Sequence, residues 1–176
     1  FQVMPQVPSP PDREAFGGAA DLVGLSPGGQ EALSVRITGV EHDTIVAFLS
    51  SGCLTCQKFW DAFRKPRKLG LPAGTRLVIV TKGTEAESSS AVALLAPAGV
   101  TTIMSSEAYD QYSVPANPYF ILVDGPTGRV LGEGAAASWS QVATLLGQAA
   151  ADAGLALDGS PLTRSAPAGR MSGPDR

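Results

Sequence analysis

Apolar positions change period several times along this chain, and each change marks an element. "LSVRIT" (33–38) alternates apolar and polar residues and predicts a half-buried strand, while "TIVAFLS" (44–50) is an unbroken β-rich apolar run of the kind buried on both faces. From Cys53 the period lengthens: Cys53, Cys56, Phe59, Trp60 and Phe63 recur at helical spacing, which predicts one side of a helix that Pro66 kinks or ends. "TRLVIVT" (75–81) predicts a second buried strand. In "TEAESSSAVALLAPAG" Thr84 and Glu87 have the spacing of a capping box, and Pro97 to Gly99 reads as a helix stop. "VTTIM" (100–104) predicts a short strand, residues 106–112 a short helix, and "PYFILVD" (118–124) another buried strand that "GPTG" turns into a hairpin with "RVLGEG". The last helix spans 138–151, with Ser138 as its cap and Trp139, Val142, Leu145 and Leu146 as its buried face.

The predicted order is therefore β-β-α-β-α-β-α-β-β-α. Strand–helix–strand units imply right-handed crossovers and a parallel first half, and the closing hairpin adds antiparallel strands. This is an α/β fold with a central mixed sheet flanked by helices. It places both cysteines where a central strand passes into its helix, the end at which open α/β sheets carry their sites.

A length of 176 residues suits one domain with a single sizeable core. A formal charge of −3 offers no basic surface for nucleic acid, and no apolar run approaches the ~18 residues that span a bilayer. Residues 1–18 are proline-rich and aperiodic and predict a flexible N-terminal arm; residues 152–176 predict a flexible tail, leaving a domain at 19–151. Because the chain opens on Phe1, a signal peptide or membrane anchor upstream is expected.

The chain's two cysteines, Cys53 and Cys56, stand in "FLSSGCLTCQKFWDAF". A structural zinc takes four Cys or His ligands, and this chain has two cysteines and one histidine, so no metal is expected. His42, in the polar turn "GVEHDT", reads as a loop residue. A purely structural crosslink is also unattractive, because closing a loop of about four residues gains little entropy. Electron exchange needs the first thiol as thiolate, partly exposed and near positive potential, with a second thiol in reach. A helix N-terminus provides that potential, which makes Cys53 the expected nucleophile and Cys56, one turn further in, the shielded resolving thiol. Two cysteines exchanging electrons require no cofactor. Phe59, Trp60 and Phe63 read as helix-to-sheet packing, and Lys58, Arg64, Lys65, Arg67 and Lys68 as complements to the helix dipole.

A CxxC at a strand-to-helix turn, followed downstream by "YSVPANPYFILVDGPTGRV", resembles the thioredoxin superfamily, in particular its extracytoplasmic TlpA/ResA-like branch and the related MauD-like maturation proteins. The likeness covers roughly residues 20–151, and residues 84–104 correspond to the helix-strand insertion of the TlpA-like branch. The resemblance implies a cis-proline facing the cysteines, whose preceding residue pairs with the backbone of the bound substrate. Here that match is Pro118 with Asn117, Pro115 being the competing candidate. It also implies work on cysteine-containing exported proteins, a membrane thiol–disulfide redox partner, and an extracytoplasmic location with an N-terminal anchor outside this chain.

Three positions depart from the pattern. Ala47 stands where cytoplasmic thioredoxins carry a buried aspartate, Gly52 where a tryptophan precedes the first cysteine, and Leu54-Thr55 where thioredoxin has Gly-Pro. Tyr109 and Tyr112 lie near the proline loop, either rimming a substrate groove or packing inward. The expected function is thiol–disulfide exchange, as reductant or oxidant. Its rivals are a thiol peroxidase of the same fold, for which a peroxide-binding Thr and Arg have no clear match, and a peptide-binding module whose cysteines do not turn over.

Overall fold

The computed structural model describes residues 18–152, in which the elements run β1 (Leu22–Leu25), β2 (Ala32–Val35), β3 (Asp43–Phe48), α1 (Leu54–Phe63), β4 (Thr75–Thr81), α2 (Ser89–Leu95), β5 (Thr101–Met104), α3 (Ser106–Gln111), β6 (Tyr119–Val123), β7 (Val130–Ala135) and α4 (Trp139–Asp152). Apart from Gly18 and Asp152, the stretches read as flexible arms lie outside the described residues. The strands form one mixed sheet in the order β2-β1-β5-β4-β3-β6-β7. β3 is parallel to β4, β4 is parallel to β5, and β6 is antiparallel to both β3 and β7.

Four expectations need correction. β1, "LVGL", was not expected: it is short and interrupted by Gly24, and it owes its place to pairing with β2 and β5. Gly24 is required there, since a Cβ would stand 2.2 Å from the Met104 carbonyl oxygen. The strand expected at 33–38 lies instead at Ala32–Val35. Helix α2 does not start in a Thr84–Glu87 capping box. Ser88 is its N-cap, accepting the Ala91 N–H at 3.3 Å, and the Glu87 carboxylate points elsewhere. The basic cluster also sits later than expected, with Arg64 as the C-cap of α1, and Arg67 and Lys68 in a 3₁₀ turn, Pro66–Leu69.

Alternation along the strands builds a core on each face. Ile45, Ala47, Leu77, Ile79, Phe120 and Leu122 face α1 and α4, meeting Phe59, Trp60, Phe63, Val142 and Leu146. Val46, Phe48, Val78, Val80, Tyr119 and Ile121 face the other way, against Ala108, Tyr109 and Tyr112 of the α3 region. Close packing of α4 on β7 depends on Gly132 and Gly134, where a Cβ would meet Ala149 at 2.3 Å and Leu145 at 2.6 Å.

Phe120 is fully buried and its ring lies 4.7 Å from that of Phe59, so it couples α1 to the central strands. Phe120→Ala should lower unfolding free energy by about 3–5 kcal/mol, read from urea titration. A loss below about 1 kcal/mol would show that α1 is held by other contacts.

Candidate active site

Strand registry decides which loops meet. Phe48 pairs with Tyr119 in antiparallel fashion and with Val80 in parallel, and Thr81 pairs with Met104 in parallel. The segments after β3, after β4 and after β5, and the segment before β6, therefore emerge at one end of the sheet. Those segments carry Cys53, Glu87, Tyr109 and Asn117–Pro118 respectively.

Cys53 is the N-cap of α1, with extended backbone (φ −92, ψ 121), and its Sγ accepts the Cys56 backbone N–H at 3.2 Å. The sulfur takes the place that Ser, Thr or Asp commonly fills at a helix start. Both thiols are free, Cys53 half-buried and Cys56 buried. Trp60 steadies the turn by donating its indole N–H to the Ser50 carbonyl at 3.2 Å. Leu54, between the two thiols, is 90% exposed. At Gly52 a Cβ would meet nothing within 4 Å, so the space that a tryptophan would cover beside the sulfur is open.

Burial pushes the Cys56 thiol up to about 12, aided by its hydrogen bond with Cys53 and by the negative charges of Cys53 and Glu87; the Ser50 backbone N–H acts in the opposite sense. Ala47, on β3, is fully buried in the same core cluster as Cys56 and offers no proton acceptor. A carboxylate reaches the site from another side. Glu87 accepts the Ser50 hydroxyl at 2.6 Å on one oxygen, and the Ser51 hydroxyl at 2.5 Å and N–H at 3.3 Å on the other. It thereby clamps the loop that leads into Cys53. Sequence reading missed this role because Thr84–Glu87 imitates a local cap, while the true partners lie 36 and 37 residues away.

The Asn117–Pro118 peptide is cis, the one such bond among the described residues, and Pro118 is buried while Pro115 is exposed. The Asn117 side chain turns inward: its Oδ1 accepts the Tyr109 hydroxyl at 2.6 Å. Tyr109 and Tyr112 are both buried, so neither rims a groove. Tyr112 bonds the backbone of Ala20 through its hydroxyl. Burial raises the Tyr109 hydroxyl far above the usual phenol range, although its bond to Asn117 works against this. His42 precedes β3, at the opposite end of the sheet, roughly 17–20 Å from the cysteines by strand length. No three of His, Cys, Asp and Glu gather as metal ligands among the described residues.

Cys56 gives a pH dependence of defined sign. Below pH about 9 neither folded nor unfolded chain ionises it; between about 9 and about 12 the unfolded chain loses this proton first, so the reduced protein loses stability as pH rises. Urea titrations across that range should show the loss in the parent and a smaller one in Cys56→Ala. Equal slopes would contradict the buried thiol. Glu87→Gln removes one of the charges that hold the proton on Cys56, and should lower the pH at which iodoacetamide reaches that residue.

No family model and no curated protein sequence matches the chain. Solved structures do. StoA from Bacillus subtilis is 19% identical, aligning over 72% of this chain and 96% of its own, with a TM-score of 0.54. The thioredoxin domain of a thiol-disulfide oxidoreductase from Bacteroides vulgatus is 16% identical over 73% and 95%, with a TM-score of 0.51. MTB DsbF, solved in mixed oxidised and reduced forms, is 14% identical over 73% and 94%, with a TM-score of 0.54. With its central mixed sheet, flanking helices, and α2 and β5 inserted between β4 and α3, the chain has the thioredoxin fold of these structures.

Proposed function

We propose that this chain is a thiol–disulfide oxidoreductase acting on cysteines of exported proteins. The observation that carries the reading is the thiol pair itself: a half-buried Cys53 at the start of α1, bonded to the N–H of a buried Cys56, at the sheet end shared with Asn117–Pro118. The fold shared with the thioredoxin domain of the Bacteroides vulgatus thiol-disulfide oxidoreductase supports it.

In the reducing direction the Cys53 thiolate attacks a partner disulfide. A Cys53–partner disulfide forms, and the other partner sulfur leaves and takes up a proton. Cys56 then gives up its proton and attacks the Cys53 sulfur, forming the Cys53–Cys56 disulfide and releasing the second partner thiol. Two electrons pass to the partner, and a membrane thiol–disulfide partner restores the dithiol. Run backwards, the same steps oxidise a partner dithiol. The raised Cys56 thiol disfavours it as the first attacking group, which leaves that role to Cys53. Leu54 and the open space at Gly52 offer an apolar contact beside the attacked sulfur, and Asn117 and Pro118 form the edge along which the partner backbone lies. An extracytoplasmic location, where protein disulfides persist, suits this chemistry.

The test uses a disulfide-bonded peptide and intact mass. Cys56→Ser should accumulate a covalent adduct with half of the peptide, because nothing resolves it, and Cys53→Ser should accumulate less than about a tenth as much. Comparable adducts on both variants would overturn the assignment of roles. Noncovalent capture by both would favour a binding module, and rapid consumption of hydrogen peroxide by the parent would favour a peroxidase.

A further inference from the structure

The phenol of Tyr109, on α3, is 6% exposed and joins segments with which it shares no secondary structure. Its hydroxyl lies 3.2 Å from the Leu49 carbonyl and 2.6 Å from Asn117 Oδ1. Leu49 stands four residues before Cys53, and Asn117 immediately precedes Pro118. The ring meets Phe48 edge-on, at 5.0 Å and 80°, and Lys82 Nζ sits 5.4 Å from its centroid. One hydroxyl therefore spans the two loops between which a partner disulfide must enter. A phenol has a single hydrogen, and rotating the Asn117 amide would let its nitrogen donate to the phenol oxygen while the O–H serves Leu49 alone. The same three groups are joined in either arrangement.

We propose that Tyr109 is a positioning residue for partner recognition: its hydroxyl sets the spacing between the Cys53 loop and the Asn117–Pro118 edge, and so governs capture of an extended polypeptide that carries a disulfide. This rests on the oxidoreductase reading above. Asn117 spends its side chain on Tyr109, so what it presents to a partner is backbone, and backbone pairing tolerates little displacement. A small disulfide needs only the sulfur of Cys53 and is indifferent to that edge.

Tyr109→Phe deletes the hydroxyl and keeps the ring against Phe48. With a disulfide-bonded peptide its KM should rise about tenfold, the loss expected when buried polar groups are left unpaired, while kcat stays within about twofold. With 2-hydroxyethyl disulfide its rate should stay within about twofold of the parent. Asn117→Ala should raise the peptide KM similarly, and the double variant should lose no more than the weaker single, since both delete one bridge. An unchanged peptide KM in both single variants would overturn the proposal. So would equal losses on peptide and small disulfide, which would place the effect on Cys53 or on the fold. A parent inert to both disulfides would overturn the oxidoreductase reading, and this inference with it.

Discussion

The registry of β3 is the constraint on which the rest depends. This strand is paired on both edges and packed on both faces, so its direction and phase cannot shift without turning a whole apolar set from one core to the other. Because β6 runs antiparallel to it, the residue after its end and the residue before the start of β6 are neighbours, although more than sixty positions separate them in sequence. Because β4 and β5 run parallel to it or follow in parallel, their exits arrive at the same end. Strand pairing thus brings the Cys53 loop, a carboxylate, a phenol and a cis-proline edge to one end of the sheet.

Much of this was legible in the chain. The apolar run 44–50 giving way to helical spacing at Cys53 located the thiol pair and the helix that carries it, because both periodicities are local and strong. Pro118 could be preferred over Pro115 because it directly precedes a buried strand, and the cis bond does lie there. Glu87 was not legible in the same way. Its spacing to Thr84 satisfies a local rule, and the competing claim, two serine hydroxyls across the site, exists only once β3 and β4 are paired. β1 escaped for a related reason: four residues with a central glycine show no periodicity, and their strand character comes from neighbours. Tyr109 and Tyr112 could be read as rim or packing residues, and the position of α3 against the sheet decides for packing.

The departures from the thioredoxin pattern acquire a physical meaning when the site is taken together. Ala47 removes a proton acceptor from beneath the thiols, leaving Cys56 in an apolar core that holds its proton firmly. Glu87 bonds Ser50 and Ser51 in the loop leading to Cys53, and its charge helps to raise the Cys56 thiol. Gly52 opens the approach to the sulfur and Leu54 lines it. Cys53 is thus the more accessible thiol and Cys56 the shielded one, a division that thiol exchange uses and that a crosslink or a metal site does not need.

The most direct measurement is the equilibrium between dithiol and disulfide. The purified chain would be equilibrated across a series of thiol buffers, its free thiols trapped by alkylation and counted by intact mass. One two-electron transition is expected, from two alkylated cysteines to none, with the Cys53–Cys56 disulfide forming inside a single chain; a midpoint near ~−270 mV marks a reductant and one above ~−180 mV an oxidant. A chain that keeps both thiols at every buffer poise would contradict the oxidoreductase reading outright.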